Sequence, residues 1–450
     1  MAGLKRAYVA KRIQQRRKMP NLLTGDESSF QKPKSRAAAL VAYKATADIA
    51  AKVSLFVITV AAARRLTPSE FGVFSLGSTL GWMAAVAADF GMQLHLARAV
   101  ARAPDAAARL LATWLRIRLY TASAAVAIVV AGVGLARSSA DAAAPIVVLT
   151  LVYAASGLVE FLHYFYRGLS RSDIESSLTV WQRAATLVCG LAALAWRPRV
   201  GTLAVALLLP VLVTLAVSLR LAGRLSSQVA QEPHVGSHVP SSDFLRDVAP
   251  IGAGIVLSAL YFRVDVFLVQ WWAGTEKVAL YNAVFRVIEG LRLFPAAALA
   301  VALPDLCRAR DVRPLATVST LVTAGGLAVA AAAWPFADRL VVLLFGEPYA
   351  AAAPAFRILL LSFPLLSLNY ALTHQLIGWD RQRAYAAICA AALVVNVTLN
   401  ARLIPLLSIE GAAWATIGTE LVVTVGCTAV LASRSRWMPA HLSIVDPRIG

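Results

Sequence analysis

Residues 201–222 read Gly-Thr-Leu-Ala-Val-Ala-Leu-Leu-Leu-Pro-Val-Leu-Val-Thr-Leu-Ala-Val-Ser-Leu-Arg-Leu-Ala, with no charged side chain before Arg220. About 20 apolar residues rising about 1.5 Å each match the ~30 Å hydrocarbon layer of a bilayer. This stretch is therefore a membrane-spanning helix. Arg197 and Arg199 flank its start, and Arg220 and Arg224 its end. The rest of the chain has the same character. Of its 450 residues, 59% are hydrophobic and 15% charged, and the mean hydropathy is +0.68. A soluble domain carries about 25% charged residues. The polar residues present are too few to cover the surfaces of the roughly three soluble domains this length would otherwise form. A soluble multidomain enzyme, a disordered chain and a disulfide-stapled secreted domain are excluded. The composition is that of an all-α polytopic membrane protein.

Working outward from 201–222, the same criterion gives twelve spans. They are 38–63, 71–96, 109–136, 143–166, 174–196, 201–222, 245–272, 278–304, 313–336, 350–377, 384–403 and 410–432. Turn chemistry separates them at Thr67-Pro68-Ser69-Glu70, Ala103-Pro104-Asp105, Arg197-Pro198-Arg199 and Gly346-Glu347-Pro348. Residues 1–36 hold ten Lys and Arg with no apolar core directly behind them, which reads as a basic cytoplasmic tail and not a cleavable signal. With that tail inside, cytoplasmic segments carry 26 of the 43 Lys and Arg and the opposite side carries 8. The positive-inside rule then places both termini in the cytoplasm, and the chain in the cell (cytoplasmic) membrane.

The longest internal loop, 223–244, divides the spans six and six. The expected organisation is a cytoplasmic tail (1–36), an N-terminal six-helix lobe (37–222), a cytoplasmic linker (223–244), a C-terminal six-helix lobe (245–433) and a second tail (434–450). The halves echo each other. Arg167-Gly168-Leu169-Ser170-Arg171-Ser172-Asp173 follows the fourth span, and Ile377-Gly378-Trp379-Asp380-Arg381-Gln382-Arg383 follows the tenth. Two similarly oriented lobes imply a pseudo-twofold axis along the membrane normal, with the cargo site between them.

Nine basic residues remain within spans: Lys44, Lys52, Arg116, Arg118, Arg183, Arg263, Arg286, Arg292 and Arg357. A charge at mid-membrane costs at least ~2.5–3.5 kcal/mol, so these side chains should face protein or a wet cavity. Arg116, Arg118 and Arg357 lie near span ends, where they are expected to snorkel to the interface. Helical spacing collects the polar residues on stripes: Lys44, Asp48 and Lys52; Ser75, Thr79, Trp82, Asp89 and Gln93; Tyr153, Ser156, Glu160, His163 and Arg167; Asn282, Arg286, Glu289 and Arg292. The first and last stripes each carry two cations for one acid. Such a surplus favours an anionic cargo, and the planar fork of arginine suits phosphate. Lys52, Arg263, Arg286 and Arg292 are the candidate binding cations. Asp48, Asp89, Glu160 and Glu289 are candidates either for carrying a coupling ion or for neutralising neighbouring cations. Arg263 and Asp265 stand about 200° apart on a helix and cannot both face one cavity. Stripes of small residues such as Gly77-x-x-x-Gly81 suit close helix packing and equally suit a genome's base composition.

No phosphate-loop or hydrolase motif is present. The four cysteines, Cys189, Cys307, Cys389 and Cys427, have no metal-site spacing, and His234 and His238 lie among prolines. No metal, cofactor, catalytic group or nucleic-acid partner is expected.

Several stretches resemble the Wzx-type oligosaccharide flippases of the multidrug/oligosaccharidyl-lipid/polysaccharide exporter superfamily. They are Leu66-Thr67-Pro68-Ser69-Glu70-Phe71-Gly72, Asp89-Phe90-Gly91-Met92 with Arg98, Leu303-Pro304, Leu344-Phe345-Gly346-Glu347-Pro348-Tyr349, and Asn396, Asn400, Ile404-Pro405 and Gly411-Ala412-Ala413 with Thr416. The resemblance implies two lobes working by alternating access on a polyprenyl-diphosphate-linked oligosaccharide for surface polysaccharide synthesis. The implied surroundings are membrane lipids and glycan polymerase or glycosyltransferase partners. A drug or cation antiporter of the same superfamily should instead have an acidic cavity. A non-transporting scaffold would act through its basic tail. The orientation is checked by cysteine labelling in a cysteine-free background. Ser138→Cys should react with an impermeant maleimide added outside cells and Ser237→Cys should not; the opposite pattern would overturn the assignment.

Overall fold

A computed structural model describes residues 46, 50–135, 139–230, 248–308 and 313–435. Lys44, Asp48, the two expected tails except Arg434 and Ser435, and the stretch 231–247, which covers most of the linker, lie outside the described residues, as does the side chain of Cys307. Apart from Thr46, the described residues belong to one compact unit. Within it the described structure is helical throughout. The helices are α1 (50–65), α2 (Pro68–Asp89), α3 (Met92–Arg102), α4 (Ala107–Leu135), α5 (Ala140–Gly168), α6 (Ser172–Trp196), α7 (Val200–Ala230), α8 (Ala249–Ala273), α9 (Thr275–Leu291), α10 (Leu293–Arg308), α11 (Arg313–Ala333), α12 (Ala337–Phe345) and α13 (Ala353–Gly378). The segment Gln382–Ser435 is two helices, α14 and α15, meeting at Ser408 in a non-helical conformation (φ 53°, ψ −129°).

Nine helical segments among the described residues are long and apolar enough to cross a membrane, and Gln382–Ser433 holds two crossings. Span 1 is represented by α1, and span 8 by α9 with α10. Among the described residues a helix thus stands at each of the twelve expected spans, in an all-helical, multi-pass membrane fold. Two expected spans are broken helices. The second is cut at Phe90 (φ 43°) and Gly91 (φ 80°), because the Asp89 carboxylate takes the Gly91 amide at 3.1 Å and competes with the helix. The eighth is cut at Arg292, between α9 and α10. An apolar window does not register such breaks, so 71–96 and 278–304 read as continuous. The ninth span ends earlier than expected, and the short helix α12 fills the connection to α13.

Turn residues fix the helix ends. Thr67 caps α2 by accepting the Glu70 amide at 3.2 Å while Glu70 reaches back, a box whose capping residue contributes ~1 kcal/mol. The loops after the fourth and tenth spans are geometric copies. Ser170 (φ 59°) and Asp380 (φ 57°) take the left-handed conformation, and Arg171 and Arg381 donate their amides to Tyr166 and Leu376 at 2.8 and 2.9 Å.

One apolar core crosses both halves of the chain, joining Phe71, Phe74 and Leu149 to Val278, Tyr281, Phe285 and Phe356. The start of α2 lies directly on α9, and a Cβ at Gly72 would overlap the Thr275 carbonyl. Beside this crossing Phe71 meets Tyr349 edge-on at 5.8 Å. Arg64 donates to the carbonyls of Leu344 (2.8 Å) and Leu343, at the end of α12. Near the other end of α2, Gly252 leaves room for the Phe90 carbonyl. Gly72→Ala is expected to destabilise the protein by about 1–3 kcal/mol, because backbone must move. Gly132→Ala meets no atom within 4 Å and should leave thermal unfolding unchanged or improve it. Equal melting of the two variants would contradict this packing.

Candidate functional site

Two cavities of about 340 Å³ and 260 Å³ share a wall of Trp82, Val86 and Ile255. Trp82 and Val86 come from α2 and Ile255 from α8, so the wall stands where the two halves of the chain meet. The larger cavity is lined mainly by the first six spans and the smaller by the last six. Trp82 and Asp89 from α2, Gln93 from α3, and Tyr153, Ser156 and Glu160 from α5 all face the larger one. The amphipathic spacing of these helices therefore has its physical outlet in a polar interior.

Arg118 also enters this cavity, contrary to its expected snorkelling. Its side chain is 1% exposed, its Nε lies 3.7 Å from Asp89 Oδ1, and Nη2 donates to the Ala85 carbonyl at 3.2 Å. Gly157 makes the space, since a Cβ there would sit 2.7 Å from Arg118 Nη2. Arg116 is exposed, as expected of a snorkelling residue. Arg357 pairs with Asp338. Arg183 is a second cavity cation, and no hydrogen-bond partner reaches its Nε or the Arg118 Nη1 among the described residues. Glu160 opens into the same cavity with no cation within 4 Å among the described residues, whereas Asp89 is held by Arg118 and the Gly91 amide.

The four candidate cations do not converge. Arg263 is 2% exposed and lies outside every cavity described here. It donates to Thr79 Oγ1 (3.1 Å) and Asn282, lies 3.7 Å from Glu289 Oε1, and covers the Phe285 ring at 4.6 Å. Asp265 turns elsewhere, accepting the Tyr281 hydroxyl and the Val266 amide. Their separation around α8 thus sends the two charges to different partners. Arg286 donates to Glu289 at 2.6 Å, so one carboxylate serves two guanidinium groups. Lys52 is exposed and shares a groove of about 420 Å³ between α1 and α9 with Arg286 and Glu289.

Arg292 is placed differently. It occupies the break between α9 and α10 and lines the smaller cavity. Its guanidinium lies 4.4 Å from the Phe262 ring centre and 5.9 Å from that of Tyr370. No carboxylate comes within 4 Å of it among the described residues. Glu420 lines the same cavity but accepts Asn369 Nδ2 at 2.6 Å, and Thr424 completes that cluster by donating to Asn369 Oδ1 at 2.8 Å. No group of three or more metal-ligating side chains occurs among the described residues.

The family described as polysaccharide biosynthesis protein matches residues 38–309. No curated protein matches the sequence. Among solved structures, the fold is similar to an inward-facing multidrug resistance MATE family transporter of the MOP superfamily, with TM-score 0.67, 14% identity, and coverage of 86% of this chain and 96% of that one. It is also similar to the lipid II flippase MurJ in an inward closed conformation, with TM-score 0.70, 10% identity and 87% of each chain covered. A eukaryotic MATE transporter, AtDTX14, gives TM-score 0.61 and 15% identity over 88% of this chain and 96% of its own. Identities this low speak for the fold alone. The match to 38–309 spans more than half of the sequence and shows that this chain belongs to the family described as polysaccharide biosynthesis protein.

Proposed function

We infer that this protein is a flippase, moving a polyprenyl-diphosphate-linked oligosaccharide from the cytoplasmic to the outer leaflet of the cell membrane by alternating access between its two six-helix lobes. The observation that carries this reading is Arg292: a cation at a helix break, facing a cavity, stacked on aromatic rings and without a carboxylate within 4 Å among the described residues. A diphosphate cannot enter hydrocarbon without a replacement for its hydration. A guanidinium already ordered by Phe262 supplies paired donors with little further loss of freedom. Across the wall of Trp82, Val86 and Ile255, Arg118 and Arg183 add unpartnered guanidinium nitrogens, and the polar stripes of α2 and α5 offer hydrogen bonds suited to sugar hydroxyls.

This reading assigns Arg263 and Arg286 to structure and Arg292 to the ligand. It places the product in surface polysaccharide (O-antigen, capsule or exopolysaccharide), with glycosyltransferases and a polymerase acting before and after the transport step. The antiporter reading draws on Glu160, a cavity carboxylate with no cation within 4 Å among the described residues. That cavity sets Arg118 and Arg183 against Asp89 and Glu160 and so carries no acidic surplus. Removing a charge-assisted contact costs about 1.5–3 kcal/mol, equivalent to roughly 10- to 100-fold. Arg292→Gln should therefore lower transport of lipid-linked sugar into the outer leaflet at least tenfold at normal expression, with Arg292→Lys intermediate. Wild-type transport by Arg292→Gln would overturn the proposal. So would full loss of surface glycan on deleting residues 1–36 alone, which fits a scaffold.

A further inference from the structure

At the end of the bundle where α3 finishes and α14 begins lies a larger cavity, of about 680 Å³, separate from the one around Arg292. Four arginines line it: Arg98 and Arg102 from α3, and Arg381 and Arg383 from the start of α14. All four are exposed, and none has a carboxylate within 4 Å among the described residues. Asp380 is the acid in the lining, and its carboxylate accepts Gln382 Nε2 at 3.3 Å.

The copied loop of the first half shows what this arrangement lacks. Superposing the left-handed Ser170 on Asp380 pairs Arg171 with Arg381, Ser172 with Gln382, Asp173 with Arg383 and Glu175 with Tyr385. In the first half the two acids neutralise the arginines. Arg171 bonds Asp173 at 3.1 Å through both donors, and Arg167 grips Glu175 at 2.8 and 2.5 Å. In the second half both acids are gone, and an arginine stands where Asp173 would be. A cation in the first turn of a helix opposes the helix dipole, and an acid there is favoured. The first backbone bond of α14 runs from Tyr385 N to Arg381 O at 3.0 Å. The amides of Gln382, Arg383 and Ala384 precede it without intrahelical acceptors, and these residues line the cavity. Guanidinium groups from two helices and the amides of a helix start converge on one space, with an unfavourable arginine retained. That is the composition of a polyanion site.

We propose that this cavity binds a diphosphate group, at a station distinct from the central cavities. The volume exceeds that of a single phosphate, and four guanidinium forks exceed its charge. The group belongs either to the lipid carrier, waiting at the cytoplasmic surface, or to a soluble diphosphate. Only the first source rests on the flippase reading and its orientation.

The test is calorimetric titration of the purified full chain in detergent with inorganic diphosphate, without divalent cations and at low salt. The triple variant Arg98→Gln, Arg381→Gln, Arg383→Gln should bind at least tenfold more weakly, while Arg116→Gln, an exposed arginine outside every cavity described here, stays within twofold of wild type. All three substituted side chains are exposed, and unchanged thermal unfolding of the triple variant verifies its fold. The corresponding lysine variant should recover part of the affinity. Affinity of the triple variant within twofold of wild type, or equal affinity of the wild type for sulfate, would overturn the proposal. In lipid nanodiscs, displacement of inorganic diphosphate by a polyprenyl diphosphate identifies the lipid source. Undiminished binding in its presence identifies the soluble one and removes the lipid from this station. A failed titration with intact dependence of transport on Arg292 would reject this site and leave the flippase reading standing.

Discussion

The carboxylate of Glu289 lies between two guanidinium groups, 2.6 Å from Arg286 and 3.7 Å from Arg263, inside a protein whose surroundings are hydrocarbon. Neither arginine is tolerable there alone, because an unpaired buried charge is strongly destabilising. Sharing one acid between two cations holds α8 and α9 together, and the bond from Arg263 to Thr79 ties both to α2. Three helices from the two halves of the chain are thus joined by groups that would otherwise be hard to bury. Close backbone contact does the rest at the ends of α2, where Gly72 lies on Thr275 and Gly252 on the Phe90 carbonyl.

This network separates charge that builds the fold from charge that is left over. Arg263 spends its donors on Thr79, Asn282 and Glu289. Arg292, a few residues along the same span as Arg286, has aromatic rings and no carboxylate within 4 Å among the described residues. Arg292 stands one turn beyond Glu289, at the junction of α9 and α10, and lines the smaller cavity beside Phe262 and Tyr370.

Much of the fold was legible in the sequence because bilayer thickness imposes a length on apolar runs, and 201–222 meets it almost without interruption. The loop copies were legible as well, since Ser170 and Asp380 each follow a Gly-x pair and precede an arginine. The helix breaks at Phe90 and Arg292 were not, because hydropathy averages over them. Site residues were only partly legible. Part of each expected stripe faces a cavity (Trp82 and Asp89; Tyr153, Ser156 and Glu160), while Thr79 accepts from Arg263. Charge counting alone could not distinguish Arg263, which is buried on partners, from Arg292, which faces a cavity. Arg118 was missed, although a signal was present: it lies two residues from Arg116, on the opposite side of α4, so both could not reach the same interface.

The claim at the centre of this account is that Glu289 and its two arginines are structural while Arg292 serves the ligand. Thermal unfolding of Glu289→Gln and Arg292→Gln, measured side by side in one detergent, tests it most directly. Loss of Glu289 should cost up to about 3–5 kcal/mol, because buried Arg263 and half-buried Arg286 lose their shared counter-charge, and its melting temperature should fall clearly. Arg292→Gln should melt with the wild type. A stable Glu289→Gln beside a destabilised Arg292→Gln would reverse the two roles and contradict the account.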